Sequence, residues 1–393
     1  MQTFQPTTEQ DVVDAIAQAA SDGRHLEIRG GGSKAEFGAP DRNDDILDLT
    51  AFASVIDYDP AELVLTAGAG APLSVIQALV ESENQMLAFE PFDHGPLFGR
   101  PAGAATIGGV IGAGVAGSRR ISAGSVRDHL LGFKGVSGRG EAFVAGAKVV
   151  KNVTGYDLPK LVCGSWGRLV ALTEVTLKVL PRGREQTTLM IEGLSPQDAH
   201  RIMARAMTSQ TEVAAAAHIP AACGDGYALT AIRLEGFGPS VAARSAMLTA
   251  LAAPEHAVFT APPSAAAAFW TSLRELTPLA ATPVLWRINT PPSQGCAVAA
   301  ALEPHGARWM FDWAGGLIWA AFDGDPKLVR AAAAAGGGHA TLVRAPAALR
   351  ASQPSLHPAA KGVAALETRV RRAFDPAGVF ETGRFFEEAR HAD

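Results

Sequence analysis

The sequence predicts an α+β protein of two domains, the second built on an antiparallel sheet, and three observations lead there. The chain has 393 residues, too many for one ordinary core. Helical periodicity and short strand-like runs alternate along it. The texture also changes at Pro181-Arg182-Gly183-Arg184, where a glycine-rich first part gives way to alanine-rich helices separated by short strands.

Each element has a local reason. Thr7-Thr8-Glu9-Gln10 stands ahead of Val12, Val13, Ile16 and Ala19-Ala20, an N-cap signal followed by helical spacing that Gly23 stops. His25 to Arg29 alternates as a strand and runs into Gly30-Gly31-Gly32-Ser33. Ile46 to Leu49 and Leu63 to Thr66 read as further short strands. Pro72 to Glu81 is an amphipathic helix with Leu73, Ile76, Leu79 and Val80 on one face. From Pro101 to Gly140 glycine is dense and long regular elements are expected to be rare. Ala147 to Lys151 resumes a strand, and Leu169 to Leu180 is a long β-like run ended by Pro181.

In the second half, helices over 199–207, 241–252 and 326–335 alternate with strands over 187–191, 227–234, 317–321 and 341–344. The alanine runs at 214–217, 265–268 and 331–335 read as compositional bias rather than function. The last segment, Leu366 to Glu381, reads as a helix followed by the capped turn Phe374-Asp375-Pro376-Ala377-Gly378-Val379-Phe380, whose aromatics suggest docking back onto the body. The domains expected are 1–182, 185–365 and a returning segment, 366–393.

Composition narrows the function classes. With 48% hydrophobic and 19% charged residues, the chain has the make-up of a soluble globular protein. Net charge is −5, both signs are dispersed, and no basic block offers a phosphate-tracking face, so nucleic acid is excluded as a partner. Met1 to Asp14 has no signal-peptide pattern, and no apolar run approaches the roughly 20 residues that span a bilayer. The expected location is cytoplasmic, with a peripheral membrane position through a partner as the alternative. Cys163, Cys223 and Cys296 are isolated, without a C-x-x-C pair. They provide neither a disulfide framework nor the ligands of an iron–sulfur cluster, and read as small buried apolar residues. No metal site is expected.

Two glycine-rich stretches carry the chemistry. In Arg29-Gly30-Gly31-Gly32-Ser33-Lys34 a strand ends in consecutive glycines, which turn the backbone through positive φ and bring several N–H donors toward one anion. The spacing is not that of a P-loop. In Pro101-Ala102-Gly103-Ala104-Ala105-Thr106-Ile107-Gly108-Gly109, threonine and two glycines open a helix, a pattern expected to present free N–H groups and the positive end of a helix dipole. Two such donors suit the two halves of a pyrophosphate. Taken singly, each stretch is also a plain turn.

Gly112-Ala113-Gly114-Val115-Ala116-Gly117 matches G-x-G-x-x-G literally, yet its context fails. Gly108-Gly109 rather than a hydrophobic strand precedes it, Ser118-Arg119-Arg120 breaks the pattern after it, and no acidic residue follows a second strand at the required distance. Nicotinamide binding is therefore set aside.

The ordered series is more specific. Arg29 to Ser33 is followed by Ala105-Thr106-Ile107-Gly108-Gly109, then Gly124-Ser125-Val126-Arg127-Asp128-His129, then Asn152-Val153-Thr154-Gly155-Tyr156-Asp157-Leu158. Gly164-Ser165-Trp166-Gly167-Arg168-Leu169, Thr173 to Val179 and the terminal Phe374 to Phe380 continue it. This succession resembles the PCMH-type FAD-binding domain of the vanillyl-alcohol-oxidase family, over residues 1–182 and 366–385. Within it, Lys151 to Asp157 is similar to the D- and E-type subunits of bacterial glycolate oxidase, and the short length and alanine-rich middle resemble the E type.

The resemblance implies a fold of two α+β subdomains around FAD, with an α+β cap domain and a C-terminal return. It implies that Arg29, Gly30, Gly31, Gly32, Ser33 and Lys34, together with Pro101, Ala105, Thr106, Ile107, Gly108 and Gly109, cradle the pyrophosphate. Gly114, Gly117 and Gly124 would line the flavin side; Thr154, Gly155, Tyr156 and Val175 would sit toward the adenosine; Arg384 would approach the isoalloxazine. Ser33 stands where some relatives carry a flavin-linked histidine, so non-covalent FAD is implied. The implied partners are a catalytic flavoprotein subunit, an iron–sulfur subunit and a small 2-hydroxy acid, glycolate.

Oxidising a 2-hydroxy acid requires a cation for the carboxylate and a base for the hydroxyl proton. The catalytic D-type chains carry a histidine-rich motif, whereas His200, His218, His256, His305 and His339 are scattered here. No catalytic residue is assigned. His94 is a ligand neighbour or a structural histidine, and His129 a packing residue of the FAD loop. Arg119-Arg120 is a carboxylate or partner site or a solvated pair. Trp309, Trp313 and Trp319 read as core packing, with a substrate cage as the alternative. The expected function is an electron-transferring FAD subunit of a glycolate-oxidising complex. The alternatives are a self-sufficient 2-hydroxy-acid dehydrogenase and a scaffold that has lost its cofactor.

Overall fold

The computed structural model describes residues 1–40, 45–146, 155–224, 226–252 and 256–385. The strand expected from Ala147 to Lys151 lies outside them. Contacts divide the chain into two units. One comprises Met1–Ala116, Gly124–Pro181 and Pro358–Asp393; the other comprises Gly117–Ala123 and Arg182–His357.

The first unit begins with helix Glu9–Ser21, whose N-cap Thr8 and Asp11 exchange hydrogen bonds with each other's backbone in a capping box. Val12, Ile16 and Ala19 turn inward against a small parallel sheet in which Asp45–Asp48 lies between Thr3–Phe4 and Leu26–Arg29. The segment 374–380 completes this core. Asp375 accepts the N–H groups of Val379 at 2.9 Å and Phe380 at 2.7 Å, Leu26 N–H donates to Val379 O at 2.7 Å, and both apolar side chains are buried. The helix ahead of it runs over Lys361–Phe374, earlier than expected.

A second, antiparallel sheet has the order Val55–Asp59, Val64–Gly68, Val170–Lys178, Leu130–Ser137, Ala142–Gly146. Helices Leu73–Ser82 and Ile107–Ala113 bury Ile76, Val80, Ile107 and Ile111 against it. In the glycine-dense stretch 101–140, where long regular elements are expected to be rare, Leu130–Ser137 forms an eight-residue strand. Its Gly135 is demanded by a close approach, because a Cβ there would stand 2.6 Å from Ala171 O.

The second unit is one eight-stranded antiparallel sheet. Its order is Phe259–Thr260, Glu185–Glu192, Leu229–Gly236, Ala215–Ile219, Arg308–Asp312, Leu317–Ala321, Leu285–Asn289, His339–Arg344. Alternate side chains such as Ile232, Leu234, Phe311, Ile318, Trp286 and Ile288 enter a single core. Helices Pro196–Met207, Gly238–Ala252, Gly295–Leu302 and Pro326–Ala335 contribute their apolar faces to the same core. The alanine run at 214–217 is more than compositional bias: Ala215, Ala216 and Ala217 lie in a strand and are fully buried.

Phe311 is among the largest fully buried side chains. Phe311→Ala should lower the stability of the second unit by about 3–5 kcal/mol, read as a lower urea midpoint of its unfolding transition, with the first unit's transition unmoved.

Candidate functional site

Within the first unit a cleft opens between the loop 29–35, helix Ile107–Ala113 and the loop 165–167, with Val170, Leu172 and Arg384 in its wall.

The glycines of the two loops do different work. A Cβ at Gly30 would collide with the Thr106 hydroxyl, and one at Gly31 with Ala104 O. These two glycines let one loop lie directly on the other. Gly32 turns the chain at φ +75° and has only Arg29 within reach of a Cβ. Gly108 lies against Ala69, whose carbonyl oxygen would be 2.7 Å from an added Cβ. Gly112 faces open cleft, its nearest neighbour 4.0 Å away.

The donors are distributed unequally, and this corrects the expectation for the second loop. Ile107 N–H donates to Ala71 O at 2.9 Å, Gly108 N–H to Ala69 O at 2.8 Å, and Gly109 N–H to its N-cap, Thr106 Oγ1, at 3.3 Å. Those groups are already engaged. Among the described residues, by contrast, the backbone N–H groups of Gly30 to Lys34 donate to no protein acceptor. Backbone donors left open in a turn form an anion-binding concavity.

Positive charge stands behind that concavity. Lys34 is 8% exposed, and its Nζ donates to Ser33 Oγ at 3.3 Å. It has no ion pair among the described residues. Burial brings its ammonium down to about 8; Asp93 opposes that shift and Arg384 adds to it. A buried cation without a paired anion is costly, and a phosphate group at this position would relieve the cost. Arg384 braces the loop from the far end of the chain. It donates to Lys34 O and, at 2.9 Å, to Phe37 O, and it lies 3.6 Å from Glu27.

The remaining wall is aromatic. Trp166 stacks on Phe37 with ring centroids 4.2 Å apart, and Phe385 packs on both rings. Trp166 sits at φ +58°, an unfavourable conformation for a bulky residue, and is held there as its N–H donates to Gly112 O at 2.8 Å. Asp93 fixes the second loop from outside. Its carboxylate accepts the N–H groups of Gly95 and Gly103 at 2.7 Å and of Ala105 at 3.2 Å.

The structure thus brings together Arg29, Gly30, Gly31, Gly32, Ser33, Lys34, Thr106, Gly108, Gly109 and Arg384. It places other expected residues elsewhere. Ile107 and Val175 are fully buried in the core of the antiparallel sheet. Ala105 is buried and Pro101 exposed, neither in the cleft wall. Gly114 ends its helix in the left-handed conformation, and Gly124, at φ +84°, turns the chain ahead of the Ser125–Asp128 capping box. Gly117 belongs to the second unit, where its carbonyl accepts Trp313 Nε1 at 3.0 Å. Gly155 and the largely exposed Tyr156 also stand away from the cleft wall, and Thr154 lies outside the described residues. Glu27, Gly112, Ala113 and Trp166 went unassigned in the sequence. The glycines flanking Trp166 were the available signal.

The other candidates also have places. His94 stacks on Phe92 at 4.5 Å, and His129 is fully buried beside Phe89. Arg119 is no solvated residue: it is buried and ion-paired with Glu235. Burial pushes the Cys163 thiol up to about 12, which keeps it protonated.

Residues 2–146 match the family described as FAD binding domain. Over 381 residues the chain is 34% identical to the glycolate oxidase subunit GlcE of Escherichia coli (strain K12), covering 96% of this chain and 97% of that one. The chain belongs to the GlcE family of glycolate oxidase subunits. It is accordingly an FAD-dependent oxidoreductase subunit with FAD as its cofactor. A D-lactate dehydrogenase of Archaeoglobus fulgidus is 29% identical over 196 residues, 49% of this chain and 42% of its own. The solved structure of p-cresol methylhydroxylase superposes with a TM-score of 0.71 at 14% identity, over 97% of this chain and 88% of that one, which shows the PCMH-type fold. No helix among the described residues is long and apolar enough to cross a membrane.

Two expectations follow. Gly112→Ala, in a helix and facing open cleft, should leave the cofactor-free fold as stable or up to about 1 kcal/mol more so while lowering FAD content; Gly31→Ala should destabilise the fold with or without FAD. Melting curves and absorbance at 450 nm, a flavin's ordinary wavelength, separate the two effects. For Lys34, the folded value of about 8 lies below the unfolded 10.5. The folded, cofactor-free chain therefore binds fewer protons between these values, and its stability should rise with pH across that window. Charge on Lys34 favours the pyrophosphate, so FAD affinity should fall as pH climbs above about 8. Titrations of wild type and Lys34→Gln check this, and the variant should lose the dependence.

Proposed function

We propose that the chain is the non-covalent FAD-binding subunit of a glycolate-oxidising complex, working with a D-type catalytic flavoprotein and an iron–sulfur subunit. The carrying observation is the row of N–H groups from Gly30 to Lys34 that find no protein acceptor among the described residues, backed by the buried Lys34 ammonium, which makes no ion pair among them. Such a concavity suits a pyrophosphate. Among the described residues of the cleft wall there is no histidine, cysteine or tyrosine to form a covalent flavin bond, and Ser33 is buried beside Lys34. This supports non-covalent retention.

When bound, FAD supplies two-electron acceptance and stepwise one-electron release. The residues of the chain do the rest. Gly30 to Lys34 hold the phosphates, Arg384 and Asp93 keep the two loops in register, and the apolar wall of Trp166, Val170 and Leu172 excludes water. The family membership supports glycolate as the substrate of the whole complex and the D-type subunit as partner. The iron–sulfur subunit is proposed as electron acceptor because no cluster-ligating cysteine set exists in this chain. A peripheral position at the inner membrane would come through these partners.

The purified chain should be yellow, release FAD on acid treatment, and keep its oxidised spectrum when glycolate is added without oxygen. Bleaching should require the D-type subunit. Rapid bleaching of the chain alone would assign it the oxidation itself, and a colourless chain that takes up no added FAD would overturn the reading.

A further inference from the structure

The second unit contains a cationic group that neither the fold nor the FAD cleft employs. In strand Leu285–Asn289, Trp286 and Ile288 enter the core, so Arg287 and Asn289 lie on the opposite face. Cross-strand neighbours on that face are Trp319 and Thr341 beside Arg287, and His339 beside Asn289. Arg287 Nη1 donates to Asn289 Oδ1 at 2.8 Å. Its guanidinium carbon lies 5.2 Å from the centroid of the Trp313 indole, over which Arg120 also lies, at 4.4 Å.

Trp313 is held in place at evident cost. Trp313, Ala314 and Gly315 have φ of 53°, 54° and 98°, three consecutive residues in the left-handed region. Two of these carry side chains, and such strain persists where the surroundings impose it. Asp312 supplies that support: its carboxylate accepts Trp313 N–H at 2.7 Å and Ser118 Oγ–H at 2.8 Å. The nearest acid is thus committed to holding the turn. Elsewhere in this unit the buried arginines are provided for: Arg119 and Arg233 share Glu235, and Arg244 donates to the carbonyls of Thr211, Glu212 and Glu235. Among the described residues Arg287 makes no ion pair; burial and then Arg120 disfavour its charge, and Asp312 opposes them.

We infer that the second unit carries a binding site for a small carboxylate, seated on the Arg287 guanidinium beside the Trp313 indole, with Arg120 adding positive potential and His339 at its edge. The choice of a 2-hydroxy or 2-oxo acid as ligand rests on the proposed function; the carboxylate rests on the residues. A guanidinium with open donors matches a carboxylate bidentately. Burial, Arg287 and His357 hold the His339 imidazole below its ordinary value, so it is neutral near pH 7 and able to accept from a hydroxyl. An anion at this position would also offset the repulsion between the Arg287 and Arg120 guanidiniums.

Glycolate binding to the purified full chain, followed by calorimetry and tryptophan fluorescence, tests this, with ethylene glycol as the uncharged probe. Wild type should bind glycolate and not ethylene glycol. Arg287→Gln should weaken glycolate roughly tenfold or more, the scale of a lost charged hydrogen bond, with Arg287→Lys intermediate and FAD content unchanged. Arg120→Gln, on a separate segment, should weaken it less and serves if Arg287→Gln fails to fold. Undiminished affinity in Arg287→Gln, or a wild-type chain that holds FAD yet shows no saturable glycolate binding, overturns the site. A chain that binds glycolate through Arg287 but never FAD would instead sink the proposed function and leave this site standing.

Discussion

The direct contact between two glycine loops is the constraint on which the first unit depends. Gly30 and Gly31 have no room for a side chain because Thr106 and Ala104 occupy that space. Once the loops touch, their hydrogen bonding is divided between them. The threonine loop spends its N–H groups on Ala69, Ala71 and its own cap, anchoring a helix to the sheet. The triglycine loop, pressed against it from outside, keeps its N–H groups unspent. One loop is the base and the other the receptor, although in sequence both look like anion cradles. Lys34, which follows the triglycine turn, is buried in the cleft wall.

Backbone strain marks the sites in both units. Trp166 in the first and Trp313 in the second are large aromatic residues at positive φ, where side chains are disfavoured. Each is pinned by a hydrogen bond from its own N–H, to Gly112 O in one case and Asp312 Oδ1 in the other, and each carries a guanidinium near its ring. Conformations of this kind are retained where the placement of the ring matters more than the energy of the turn.

Much of the fold was legible because local chemistry and packing agree in it. Thr8 caps its helix, and the alternation in the second unit puts Trp286 and Ile288 on one side of a sheet. The turn from Phe374 to Phe380 docks through Asp375. Strand Leu130–Ser137 was hidden because Gly132 and Gly135 look like loop residues, while Gly135 in fact admits the neighbouring strand. The cleft was half legible. Gly30 to Lys34 could be read from composition alone, since consecutive glycines before a lysine have few other uses. Val175 could not be separated from Val170 and Leu172: all three belong to one strand, and alternation does not say which residues meet a ligand. Asp93 escaped because a single aspartate has no periodicity, and its three N–H partners come together only through the fold. Arg287 escaped for the same reason.

Arg384 supplies the final consequence. It buttresses a loop at residues 34–37 across some 350 positions of chain, so the receptor loop is translated well before its support. During synthesis the glycine turn, its sheet and its helix emerge long before the guanidinium that steadies them. Closing so long a span is also the slow kind of contact to form. The cofactor pocket therefore cannot be completed before Arg384 has emerged, and until then the glycine loop stands without its brace.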